Sequence, residues 1–161
     1  MTPTVTIDAR AAIAKFSSAG IPESVRNRLR MVIPDLTKRL GRRVEEKLDT
    51  ELKSRRRLQV TKEMVENPTK IVGRVQTVAT AEPKLLPQWL ETGTKAHPII
   101  ATNAGALFFY WPKLGRNVMF KSVWHPGFPG INYTQNAFRE MEDEIFASMT
   151  SAVTAGAREA A

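Results

Sequence analysis

The chain has two histidines, and both precede proline: His97-Pro98 and His125-Pro126. Histidine suits acid–base work near neutral pH and zinc binding. With Glu91, the pair would offer three donors to a metal. The spacing argues against that, because neither His-Pro-Ile nor Trp-His-Pro-Gly is a metal-ligand interval. A residue before proline is held in extended or turn geometry, so both histidines read as turn residues making local hydrogen bonds. Gly93-Thr94-Lys95 falls short of a phosphate loop: threonine stands between the glycine and the lysine, and no second glycine frames the turn. Neither GxGxxG nor GxSxG occurs. Glu140, Glu142, Asp143 and Glu144 crowd one short segment. They lie at the start of a helical pattern, where carboxylates complement the dipole, and neighbours on a helix point in different directions. With 0 cysteines, disulfides, thiolate metal sites and cysteine nucleophiles are excluded. The expectation is a protein without catalytic residues, cofactor or metal.

Charge is the second chemical feature. The net charge is +8, and residues 1–62 hold 15 Lys and Arg against 7 Asp and Glu, while residues 63–161 hold 9 of each. Such asymmetry points to an acidic partner, either nucleic acid or an acidic protein surface. Arg39, Arg42, Arg43 and Lys47 can share one helix face, and Arg55, Arg56 and Arg57 would close that helix, where cations complement the dipole. The competing explanation is a solvated helix face. No aromatic residue interleaves with these arginines, which disfavours stacking on single strands. No recognition helix or zinc finger is evident either.

The elements that must position these residues follow from periodicity. Thr4 to Ile7 reads as a short strand, and Asp8 as the N-cap of a short helix running to Phe16 and ended by Gly20. From Val25 to Arg57 apolar residues recur at Leu29, Ile33, Leu36, Leu40, Val44, Leu48 and Leu52. This is a narrow helical stripe, with Pro34 expected to kink or divide it. Leu58–Thr61 and Ile71–Val78 alternate around Asn67-Pro68-Thr69, the signature of a β-hairpin with one buried face. A short helical turn and loop span Pro83 to Pro98. Ala106–Trp111 and Asn117–Trp124 read as two further strands, followed by a rigid turn, His125–Gly130. Phe138, Met141, Ile145, Met149 and Val153 mark a last helix.

The resulting expectation is a single α+β domain over residues 1–161. It has a helical N-terminal region (1–57) with a long basic helix kinked near Pro34, and a β-rich core (58–130) with an antiparallel sheet of about four strands. A C-terminal helix (131–154) and a frayed Ala-rich tail (155–161) complete it. The N-terminus lacks the pattern of a signal peptide, and no apolar run approaches a membrane span. No membrane association is expected.

One segment carries more information than composition does. Trp89-Leu90-Glu91-Thr92-Gly93-Thr94-Lys95-Ala96-His97-Pro98-Ile99 resembles the "hydrophobic, Glu, x, Gly-Thr, basic, x, His-Pro" segment of the head–tail joining or tail-completion proteins of siphophages. The order continues with Asn103–Phe109, which includes Leu107. Val123-Trp124-His125-Pro126-Gly127 comes next, and then Phe128-Pro129-Gly130 ahead of Ala137-Phe138. The resemblance covers about residues 86–140. It says least about the basic N-terminal third, where the family's Thr-Gly-x-Leu is replaced by Ser54–Leu58.

The resemblance implies a structural protein of the virion neck or tail, made in the host cytoplasm. It implies a homo-oligomeric ring of six or twelve copies that contacts portal or connector proteins and tail terminator or tail tube proteins. Contact with packaged DNA would be non-specific. The motif residues make sense as architecture: Gly93 permits a turn, Pro98, Pro126 and Pro129 stiffen loops, and Trp89, Trp111 and Trp124 are anchors for a core or an interface. The alternative function is a basic nucleic-acid-associated protein that binds DNA non-specifically.

Overall fold

The computed structural model describes residues 2–8, 21–52, 57–67 and 70–160. The expected short helix after Asp8, its end at Gly20, and Arg55 and Arg56 lie outside the described residues. The fold is α+β. Strand β1 (Thr4–Asp8) precedes a long helix α1 (Glu23–Glu51), and the hairpin β2 (Leu58–Asn67) and β3 (Lys70–Ala79) follows. Then come a short helix α2 (Leu86–Thr92) and strands β4 (Gly93–Thr94), β5 (His97–Ile100), β6 (Leu107–Trp111) and β7 (Arg116–Phe120). Strands β8 (Ser122–His125) and β9 (Phe128–Pro129) and the last helix α3 (Tyr133–Glu159) complete the order.

The apolar stripe read from sequence is the core. Leu29, Ile33, Leu36, Leu40, Val44 and Leu48 are all fully buried. Each such side chain contributes about 1.5–3 kcal/mol relative to an exposed one. They pack against a three-stranded antiparallel sheet ordered β1-β3-β2 and against α3, which lies alongside α1. From α3 come Tyr133, Ala137, Met141, Ile145, Met149 and Ala152; from the sheet come Ile7, Leu58, Ile71 and Val75. The hairpin register pairs Leu58 with Ala79 and Asn67 with Lys70, which places Val60, Ile71 and Val75 towards the helices. Gly73 lets α1 approach β3 closely, since a Cβ there would collide with the Thr37 hydroxyl.

Four expectations about the elements are corrected. First, of the two outcomes expected at Pro34, division does not occur: α1 is continuous through it. Pro34 and Arg30 both sit on the exposed face, so water can reach the Arg30 carbonyl that the missing N–H leaves free. Second, α1 ends at Glu51, with no basic residue in its last turn. Arg57 stands in a turn just before β2, so it does not complement the helix dipole. Third, the strands do not form one sheet of about four. Beyond the three-stranded sheet they make two-stranded ribbons, β4–β9, β5–β8 and β6–β7. The expected strand Asn117–Trp124 is broken at Lys121 into β7 and β8, which pair with different partners.

Fourth, the Ala-rich end is helical and docked, not frayed. Helix α3 runs to Glu159. Gly156 lies against the backbone of Val25, where a Cβ would come within 2.5 Å of the Val25 Cα. The Ser24 hydroxyl donates to the Gly156 carbonyl at 2.7 Å, and Arg28 pairs with Glu159. A frayed tail and a docked one give opposite signs for Gly156→Ala. At an undocked helical position alanine stabilises by up to about 1 kcal/mol; against the Val25 backbone it should overpack and cost about 1–3 kcal/mol. Urea denaturation of the variant is expected to show the loss.

Candidate functional site

The two motif segments, thirty residues apart in sequence, form a single structure. Gly93 and Thr94 pair with Pro129 and Phe128, and His97 and Pro98 pair with His125 and Trp124. Glycine is required where the strands cross. Gly93 has φ +76°, and a Cβ on it would lie 2.5 Å from the Gly130 amide. Gly127 has φ +79°, and a Cβ there would meet the Thr94 carbonyl. Positive φ with backbone at that distance admits no side chain without strain.

Glu91 ties this crossing to the last helix. Its carboxylate accepts the Thr134 amide through Oε2 at 3.0 Å and the Gln135 amide through Oε1 at 3.1 Å. These are two of the four N–H groups that a helix N-terminus leaves unpaired. Asn132, the N-cap residue, is in the left-handed region and makes no side-chain cap, so Glu91 supplies from another element what a cap residue normally supplies. Backbone bonds complete the tie: Ile131 donates to the Leu90 carbonyl at 2.8 Å and Asn132 to the Glu91 carbonyl at 3.1 Å. Beside them Tyr133 is fully buried, its hydroxyl 3.4 Å from the Pro87 carbonyl.

The histidines stand opposite each other on β5 and β8, with ring centroids 5.2 Å apart. Both lie in strands and not in the turns expected, and each uses Nδ1 for a local hydrogen bond. His97 Nδ1 lies 2.7 Å from the Lys95 carbonyl, which makes it the donor, and His125 Nδ1 accepts the Gly127 amide at 3.0 Å. The Glu91 carboxylate is committed to the helix amides. Among the described residues no group of three or more His, Cys, Asp or Glu is placed to hold a metal, and no helix is long and apolar enough to cross a membrane.

Residues 95–128 therefore leave the core and return to it as an arm made of two ribbons. Ribbon β6–β7 builds a small aromatic cluster of its own. Trp111 meets Phe120 edge-on at 5.7 Å, and Phe109 lies 6.3 Å from Phe120. Leu107 is half-buried on that same face of β6. The opposite face is bare: Phe108 and Met119, directly paired across the ribbon, are 68% and 67% exposed. On β5–β8, Trp124 is 68% and Ile100 60% exposed. Trp89 on α2 is also partly exposed. The arm does not pack extensively on the core. Phe108 and Met119 thus form one exposed apolar pair, and Ile100 and Trp124 another on the second ribbon.

The basic residues come together as expected, but on a face shared with α3. Arg39 pairs with Glu144, Lys47 with Glu140, and Arg43 Nε lies 3.8 Å from Glu140. Arg42 lines the same shallow groove as Arg39, Arg43 and Glu144. Arg57 donates to the Glu82 carbonyl at 3.4 Å. Of the four patch residues expected on α1, Arg39, Arg43 and Lys47 thus face carboxylates of their own chain. Reading the sequence one helix at a time concealed this, because the acidic cluster looked sufficient as a dipole partner. A second missed signal was legible: residues 92–138 contain Lys95, Lys113, Arg116 and Lys121 and not one acid.

Comparison with family models, with curated proteins and with solved structures produced no match.

Two outcomes follow from this geometry. Glu91→Ala should lower stability by about 1–2 kcal/mol by uncapping α3, with Glu91→Gln costing less; chemical denaturation measures both. Burial pushes the Tyr133 phenol up to about 12. Because the folded value lies above the ordinary value of about 10, its contribution is complete below pH 10 and is lost as pH rises towards 12. The loss should be on the order of 2–3 kcal/mol. Urea midpoints between pH 8 and 11 should fall more steeply for the wild type than for Tyr133→Phe.

Proposed function

We propose that this chain is a structural subunit of a tailed-phage particle that joins head and tail, acting through its surfaces and without catalysis. The observation that carries the reading is the arm. The glycine- and proline-bearing motifs pair to close its base, and they present exposed aromatic residues that contribute nothing to the core. A surface of that kind is costly in a free monomer and useful in an assembly. The order of motifs from Trp89 to Phe138 supports the same reading through its resemblance to siphophage tail-completion proteins.

The particle neck would hold the chain as a homo-oligomeric ring between portal or connector and tail components. The ion pairs of Arg39, Arg43 and Lys47 weigh against the alternative of non-specific DNA binding. Cations already neutralised within the chain have less to gain from phosphate. Contact with packaged DNA would fall to Arg42, Arg57 and the arm's lysines.

An early stop codon in the gene tests the proposal. Electron microscopy of the lysate should show DNA-filled heads and finished tails lying apart. Intact, infectious particles would refute the joining role.

A further inference from the structure

A groove on the core has the properties the arm lacks a partner for. It lies between β1 and α3, holds about 220 Å³, and is lined by Ile7, Phe138, Glu142, Ile145, Phe146 and Met149 among others. Phe146 is 69% exposed. One wall is β1, an edge strand of the sheet among the described residues, and a sheet edge accepts extended backbone readily. The rim is acidic: Asp8 and Glu142 both line it. Glu142 is exposed on α3. No residue of the arm lines the groove.

The arm is the complement in both respects. Phe108 and Met119 share one face of β6–β7, and Ile100 and Trp124 share one face of β5–β8 by the antiparallel register. All the charges of the arm are positive: Lys95, Lys113, Arg116 and Lys121. One chain therefore carries an apolar, cationic projection and an apolar, acid-rimmed groove at separate places. We infer that the arm of one copy seats in the β1–α3 groove of the next. The contact is head-to-tail, which closes into a ring when the rotation per subunit permits. This inference rests on the ring reading above and gives that ring its two contacting faces.

The absence of cysteine makes the test direct. Tyr110→Cys places a thiol on the exposed face of the arm, and Thr150→Cys places one at the groove. Both are exposed substitutions in the full chain, and circular dichroism checks that the fold is kept. Under mild oxidation the double variant should give a ladder of covalent dimers, trimers and larger species, because each copy carries one thiol of each kind. Tyr110→Cys combined with Lys38→Cys, outside the groove, should give no such ladder.

A second measurement removes reliance on thiol geometry. Reversing the rim with Glu142→Lys should shift the oligomer about tenfold towards monomer at low salt. Native oligomers that give only arm-to-arm dimers, or that ignore the rim reversal, would overturn the arm-in-groove contact and leave the ring standing. A wild-type chain that sediments as a monomer at every concentration would overturn both.

Discussion

The carboxylate of Glu91 is the interaction on which the rest of the layout depends. It sits at the end of α2 and caps a helix that begins forty-odd residues later. The chain between those points must leave and return to one place. Closing a loop of that length costs on the order of 3 kcal/mol in chain entropy. The two charge-assisted bonds to α3, the two backbone bonds beside them and the ribbon pairings inside the excursion offset that cost locally. The consequence is mechanical separation. Because the base is closed by its own contacts, the arm can carry apolar residues outward without drawing on the core, and the core is complete without the arm.

The same separation governs the charges. Helix α1 is basic along its exposed side, yet the sequence places the matching acids on α3 and β2. Glu140 and Glu144 answer Lys47, Arg43 and Arg39, while Glu66 answers Arg26 and Arg30. The guanidinium of Arg30 holds the Glu66 carboxyl below its usual range. These pairs are exposed, so each contributes little to stability. They join α1 to α3 through Arg39, Arg43 and Lys47, and α1 to β2 through Arg26 and Arg30. Glu142, on the groove side of α3, takes no part in that arrangement.

Much of this was legible in the sequence, and the failures are physical in kind. The buried stripe Leu29 to Leu48 and the stripe Met141 to Met149 follow from the 3.6-residue period, because burial on one helix face is what that period encodes. The hairpin around Asn67 was equally plain. Pro34 does not divide α1, because on an exposed face water can replace the bond it removes. Gly156 and its alanines misled because composition reports intrinsic propensity and is blind to docking on Val25 and Ser24. Strand β5 was hidden by Pro98, and the break at Lys121 carries no local mark, since two consecutive strands that change partners look like one. Of the site, the motif residues were visible, but their pairing across the arm base and the capping role of Glu91 are tertiary facts with no signature along the chain.

The sign pattern of the arm bears on how such a surface avoids misuse. Exposed aromatics invite indiscriminate association, and two copies could in principle bury them simply by pairing arm against arm. Four cations without a single acid on that excursion oppose this, since like charges brought together at a drying interface cost more as water leaves. Symmetric pairing is thereby penalised and contact with an acidic surface is favoured, which biases association towards the heterologous kind. A chain selected only to be soluble would gain as much from mixed charges on the arm. On the proposed reading, the exclusion of Asp and Glu from residues 92–138 is a rule about which surface the arm refuses.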